Sequence, residues 1–163
     1  MRESEQLSRA LPDEAATRAF GAGLARALVA VAPAGFLLTL EGNLGAGKTT
    51  LARSLLEALG VAGPVRSPTY TLLESYPVGG RVVHHLDWYR LASAEDLEGL
   101  GFRDLCTAGH WLLVEWPERI PAVAARADLA IALVYEGAAR RLRAEARTML
   151  ARRVLGALSE DDA

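Results

Sequence analysis

Cysteine is nearly absent: Cys106 stands alone, so no internal disulfide framework can form and a reducing compartment is expected. Lysine is equally scarce, because of 18 basic residues only Lys48 is a lysine and the rest are arginines. No Cys/His cluster has zinc-ligand spacing. Long apolar runs are missing as well. The longest uncharged stretch, Ala27 to Leu40, is interrupted by Pro33 and is shorter than the ~18 residues that a membrane span requires. Met1-Arg2-Glu3-Ser4-Glu5 is polar and acidic, unlike a secretory signal, so a cytoplasmic protein with no membrane association is expected. A net charge of −2 supplies no general basic field, which argues against tight, sequence-independent nucleic-acid binding by this chain alone. Neither repeats nor low-complexity tracts nor a dividing linker interrupt the 163 residues, whose 51% apolar content suits one domain spanning 1–163.

What is present centres on Gly42-Asn43-Leu44-Gly45-Ala46-Gly47-Lys48-Thr49-Thr50, a match to G-x-x-x-x-G-K-[ST], the phosphate-binding loop of P-loop nucleotide hydrolases and kinases. Gly35 to Glu41 leads in as a short apolar strand and Thr50 to Leu59 leads out as a helical pattern, which is the context the motif needs. The glycines allow positive φ and close approach of the main chain to an anion. Loop amides from Asn43 to Thr50 then face the phosphates, reinforced by the helix N-terminus. Lys48 is expected to reach the β- and γ-phosphates, and Thr49 to ligate Mg²⁺. A chain that otherwise uses arginine for positive charge places its lysine where a compact ammonium is required.

The remaining pattern is that of a mixed α/β sheet flanked by helices. Residues 4 to 11 read as an edge strand, and Pro12-Asp13-Glu14 as the start of a helix with Phe20, Leu24 and Leu28 on its apolar stripe. Leu51, Leu55 and Leu59 form the buried stripe of the phosphate-binding helix, which Gly60 stops. Gly79-Gly80 predicts a β-hairpin with the strand ending at Asp87, and so an antiparallel pair in an otherwise parallel sheet. Ser93 caps one or two short helices broken near Gly99 and Gly101; His110 to Glu115 is an apolar strand ending in an acid. Asp128 to Val134 and Arg140 to Ala146 are two further strands, followed by a helix from Thr148 to Leu158 and a frayed end from Ser159 to Ala163.

A phosphate-binding loop needs a carboxylate at a neighbouring strand end to hold Mg²⁺, and Asp87 and Glu115 both qualify. Glu115 is assigned the Mg²⁺ or its water shell and Asp87 the attacking water or an outer position, although the two roles are interchangeable at this level. His84 and His85 cannot share one ion, since adjacent strand residues face opposite sides of a sheet. His85 falls on the face of Asp87 and reads as a satisfied structural histidine. Ser67-Pro68-Thr69 is either an ordinary turn or a loop that senses the γ-phosphate through Thr69. Pro117 ends its strand and so places Trp116 near the rim of the site.

These motifs together resemble the TsaE (YjeE) family. The resemblance is carried by the loop 42–50, by Ser67-Pro68-Thr69-Tyr70-Thr71, by His85-Leu86-Asp87-Trp88-Tyr89-Arg90-Leu91 and by Val114-Glu115-Trp116-Pro117-Glu118. Leu11 to Thr17 is similar to the family's N-terminal stretch. The resemblance implies an ATPase of the threonylcarbamoyladenosine machinery for position 37 of tRNA. Such a protein binds the TsaB–TsaD pair, meets tRNA only through that complex, and transfers no carbamoyl group itself. It further implies that Lys48 and Thr49 bind phosphate and Mg²⁺, that Asp87 and Glu115 serve the metal and hydrolysis, and that Trp116 lies at the nucleotide. Thr17 and Arg140 are similar to positions near the adenine. Trp88 departs from the smaller aliphatic residue more usual in the family, which bears on packing beside Asp87. The arginines of the strand at Arg140, Arg141 and Arg143 read either as a solvated face or as a surface toward tRNA or a partner, the first being the commoner case. The residue patterns leave a small-molecule kinase and a GTP switch as alternatives. The first lacks a recognisable acceptor pocket and lid, and the second lacks an Asn-Lys-x-Asp guanine reader.

Overall fold

The computed structural model describes residues 5–161. Its elements in chain order are β1 (Gln6–Leu11), α1 (Glu14–Val31), β2 (Phe36–Gly42), α2 (Lys48–Ala58), β3 (Leu73–Val78), β4 (Arg81–Asp87), α3 (Ala94–Gly99), α4 (Phe102–Leu105), β5 (His110–Glu115), α5 (Pro121–Ala124), β6 (Leu129–Glu136), β7 (Ala139–Ala146) and α6 (Met149–Asp161). All the strands join one sheet in the order β1-β7-β6-β2-β5-β4-β3. β2 runs parallel to both β5 and β6, and β4 parallel to β5. Antiparallel partners close both sides, β3 on β4 and β7 with β1 beyond β6. The expected mixed α/β sheet is the one observed.

Local chemistry accounts for where the elements begin and end. Asp13 caps α1 by accepting from Ala16 N at 2.8 Å, and the helix closes at Ala32, in the left-handed region, directly before Pro33. Ser93 and Asp96 form a capping box on α3. Gly79 and Gly80, with φ of 55° and 81°, make the tight turn between β3 and β4. Two short helical turns that the sequence pattern did not announce, Pro117–Arg119 and α5, each begin on a proline whose fixed φ suits a first helical position. The C-terminal end also differs from expectation. α6 continues through Asp161 rather than fraying from Ser159, because Asp161 pairs with Arg26 of α1 at 2.6 Å and Ser159 Oγ donates to Leu155 O; residues 162–163 lie outside the described residues.

Alternation along the central strands divides the core between two faces. Leu38 and Leu40 of β2 and Leu113 of β5 point to the face covered by α1, α2 and α6, where Phe20, Leu24, Leu28, Leu51, Leu55, Val154 and Leu155 are buried. Leu112 and Val114 of β5 point the other way, to a smaller core with Leu86, Trp88, Leu97 and Phe102 beneath α3 and α4. Trp88 therefore packs away from Asp87, fully buried and edge-on to Phe102 at 5.8 Å. On the larger face α1 and α2 are in intimate contact: a Cβ at Gly21 would lie 1.9 Å from Ser54 Oγ and 2.9 Å from the Leu51 carbonyl oxygen. Among the described residues no helix is long and apolar enough to cross a membrane.

Candidate functional site

Register sets the site. β2 ends at Gly42, and its neighbour β5 ends at Glu115, which pairs with Leu40 on one side and Asp87 of β4 on the other. The loop 43–47 and both strand-end acids thus meet at the carboxyl ends of parallel strands, where open α/β sheets gather their ligands. Gly42 is obligatory in this arrangement, because a Cβ there would fall 2.6 Å from the Leu133 carbonyl oxygen. Gly47, at φ 107°, turns the chain into α2.

Lys48, at the first position of α2, is 5% exposed and folds back over the loop. Its Nζ donates to Gly42 O at 2.5 Å and Asn43 O at 3.0 Å and lies 4.1 Å from the centre of the Trp116 ring. Burial lowers its pKa, while Glu115, Glu118 and Asp87 oppose that shift. Beside it, Thr49 Oγ1 donates to Glu115 Oε1 at 2.8 Å, and the other carboxylate oxygen of Glu115 lies 2.6 Å from His85 Nε2. Asp87 accepts from Tyr89 N at 2.9 Å and from Thr69 Oγ1 at 3.4 Å. Burial raises the Asp87 pKa, and nearby Glu115 adds to the rise against the Tyr89 N–H, which lowers it. Ser67 and Thr69 hydrogen-bond each other at 2.8 Å, so the Ser67-Pro68-Thr69 turn is tied to the acid rather than left open. Trp116, itself at φ 60°, stands at the rim against Tyr89.

These side chains line a cavity of about 310 Å³ that Arg90 also reaches. Behind the loop a second cavity of about 150 Å³ is lined by Thr17, Asp13, Thr50 and Arg140 together with Gly45 and Gly47. Arg140 donates to Gly45 O at 3.3 Å and stacks on Tyr135, whose hydroxyl donates to Leu44 O at 2.7 Å, so the β6–β7 end props the loop from outside. Ala46 is buried, whereas Leu44 is 63% exposed at the mouth. Of the residues singled out from the sequence as binding or catalytic, all but Asn43 line these two adjoining cavities. Asn43, in the loop itself, accepts from Lys48 Nζ and faces a separate cavity with Gly42 and Glu118. Volume alone would not have chosen them: a cavity of about 320 Å³ lies between Phe36, Phe102, Cys106 and Arg126 at the opposite ends of the strands, and one of about 670 Å³ beside β1 and β7. Chemistry chooses them, since only the loop cavity combines an ammonium, hydroxyls and paired carboxylates.

That donor set is hard oxygen, which fits Mg²⁺. Among the described residues no group of three His, Cys, Asp or Glu side chains could cage a metal. A cation at Thr49 and Glu115 would need phosphate and water oxygens to complete its shell, as Mg²⁺ in nucleotide sites ordinarily does. His84 lies on the opposite face from His85, hydrogen-bonded to Ser75 and His110 at 2.7 Å each, so the two histidines share no ligand. Sequence reasoning had assigned no role to Arg90 or Tyr135. The residues after Asp87 carried a signal for Arg90, while Tyr135 carried none, because its contact spans 91 positions.

The family model described as Threonylcarbamoyl adenosine biosynthesis protein TsaE matches residues 11–143. A Haemophilus influenzae protein named tRNA threonylcarbamoyladenosine biosynthesis protein TsaE is 38% identical over 156 residues, covering 95% of this chain and 99% of its own. A Synechocystis protein of the same name is 41% identical over 115 residues, covering 68% of this chain and 70% of its own. The crystal structure of Bacillus subtilis YdiB superposes with a TM-score of 0.72 at 27% identity, over 98% of this chain and 97% of that one. A glycine-rich loop of this geometry, with matching sequence and fold over nearly the whole length, leaves one assignment: the chain belongs to the TsaE family.

Proposed function

We propose that the chain is a Mg²⁺-dependent ATPase required for threonylcarbamoyladenosine formation at position 37 of tRNA, acting on the TsaB–TsaD pair. The single observation that carries this reading is the contact of Thr49 with Glu115 beside the folded-back ammonium of Lys48. Together they supply phosphate grip and metal anchorage at one strand end. Loop amides and Lys48 bind the β- and γ-phosphates, and Thr49 and Glu115 hold the metal end. Mg²⁺, when bound, neutralises charge on the phosphate oxygens. Asp87, made more proton-avid by burial, orients and deprotonates the attacking water. Thr17 and Arg140 flank the adenine side, in the cavity behind the loop. ATP is favoured over GTP because the only lysine, Lys48, is engaged in the loop, so no guanine-reading Asn-Lys-x-Asp element exists.

Intrinsic hydrolysis is slow in this reading and rises when the partners dock. Arg90, the arginine that lines the loop cavity, is stacked on Tyr70 at 4.6 Å, and Tyr70 is 81% exposed. Reconstituted tRNA modification with the partner proteins, with and without Lys48→Ala, is the test. Modification should stop with the variant, and ATP turnover by the unsubstituted chain should rise on adding partners. Equal modification with Lys48→Ala, or GTP bound as tightly as ATP, would sink the proposal.

A further inference from the structure

Glu115 belongs to a three-membered contact that the phosphate-binding loop does not require. One oxygen accepts from Thr49 at 2.8 Å and the other faces His85 Nε2 at 2.6 Å. Both His85 and Glu115 are 1% exposed. The remaining imidazole nitrogen, Nδ1, is buried and has no hydrogen-bond partner among the described residues. An ionised carboxylate only accepts, so Nε2 is the donor in this contact. Burying an unpaired ring nitrogen is unfavourable, and a phenyl ring would fill the same space without that cost. Among the described residues, the contact with Glu115 is the one side-chain hydrogen bond that offsets it. Register explains the reach: Asp87 pairs with Glu115 and His85 with Leu113, so the ring approaches Glu115 diagonally across the β4–β5 ladder.

We infer that His85 is a positioning residue, which holds Glu115 turned toward Thr49 so that the cation end of the site is formed before the nucleotide arrives. The inference rests on the Mg²⁺–ATP reading above. Thr49 alone leaves the carboxylate free to rotate about its own bonds; a second contact from another strand removes that freedom, as outer partners of metal ligands commonly do.

The test titrates Mg²⁺ calorimetrically into the full chain saturated with a non-hydrolysable ATP analogue. Three variants are compared: His85→Phe keeps a ring but no donor, His85→Gln places an N–H near the Nε2 position, and His85→Asn carries an amide too short to reach. Mg²⁺ affinity should fall about tenfold or more in His85→Phe and His85→Asn and stay within about threefold in His85→Gln. Nucleotide affinity in excess chelator should be unchanged in all three, and excess Mg²⁺ should restore turnover in the weakened pair. Should His85→Phe fail to fold, His85→Asn carries the same comparison. Parental Mg²⁺ affinity in His85→Asn, or a His85→Gln as weak as His85→Asn, overturns the inference. If the unsubstituted chain shows no Mg²⁺-linked nucleotide binding, the ATPase reading fails instead. The positioning role is then judged by a nucleotide-free crystal structure of His85→Asn: Glu115 turned away from Thr49 supports it, and an unmoved Glu115 overturns it.

Discussion

Lys48 is a charge kept in a place that disfavours charge. Burial is the largest influence on its pKa and three acids only partly oppose it, so its ammonium rests on two loop carbonyls and the Trp116 ring. Charge-assisted hydrogen bonds contribute about 1.5–3 kcal/mol each. Lys48→Ala should therefore weaken ATP binding about 10- to 100-fold by calorimetry. Lys48→Arg should not rescue it, because a planar fork cannot take the place of a point charge between two carbonyls. Glu115→Ala acts differently. Nucleotide affinity in excess chelator should hold while hydrolysis at moderate Mg²⁺ falls at least tenfold, and normal turnover at moderate Mg²⁺ would contradict its assigned role. Lys48 and Glu115 were both legible in the sequence, one from its motif and its scarcity, the other from an acid closing an apolar strand. The contacts of Glu115 were not legible, since no sequence spacing relates positions 49, 85 and 115.

At the scale of elements, the α1–α2 contact and the β3–β4–β5 ladder make opposite kinds of prediction. Gly21→Ala would ordinarily stabilise a helix by about 0.4–1 kcal/mol. Here the added methyl meets the Leu51 carbonyl at 2.9 Å, backbone that cannot rotate aside. Overpacking costs about 1–3 kcal/mol, so the net effect on urea unfolding should be a loss of stability. On the ladder, His84 is held at a pKa of about 4, first by burial and then by His110. Between pH 6.5 and 4 the unfolded chain binds more protons at this residue than the folded protein does. Stability therefore falls as pH is lowered through that window, by at most about 1.4 kcal/mol per pH unit, and levels off below it. Urea denaturation at pH 7, 5.5 and 4.5 should show a shallower fall for His84→Gln; identical slopes would show that the histidine contributes nothing. The elements themselves were readable because caps, prolines and turn glycines act within a few residues. The extension of α6 to Asp161 was not, because its partner Arg26 lies 135 positions away.

Across the whole molecule, the sheet separates a large core from a small one, and the two should open independently. Leu155→Ala, on the buried side of α6 against the larger face, should cost about 2–5 kcal/mol and lower the global midpoint of unfolding. Phe102→Ala removes a side chain from the smaller core. It should speed amide hydrogen exchange in α3 and α4 while the β2 amides keep their protection. Uniform acceleration throughout the sheet would show instead that both faces unfold as one unit. Because β4 and β5 carry Asp87 and Glu115 between these cores, opening of the smaller face would disturb the acids before the loop.

The glycine-rich loop 42–50, its strand and helix, the two strand-end acids and the hairpin were all written in the order of neighbouring residues. Each depends on backbone preferences or apolar periods expressed over a few neighbouring residues. Tertiary structure alone decided which side chains these features meet. Consecutive residues of β4 and β5 are buried on both faces, so alternation does not set the register that pairs Asp87 with Glu115 and brings His85 beside it. Nor does any local rule bring Thr17 of α1 and Arg140 of β7 together to line one cavity behind the loop. Those meetings follow from how helices close over a twisted sheet, a property of the packed chain as a whole.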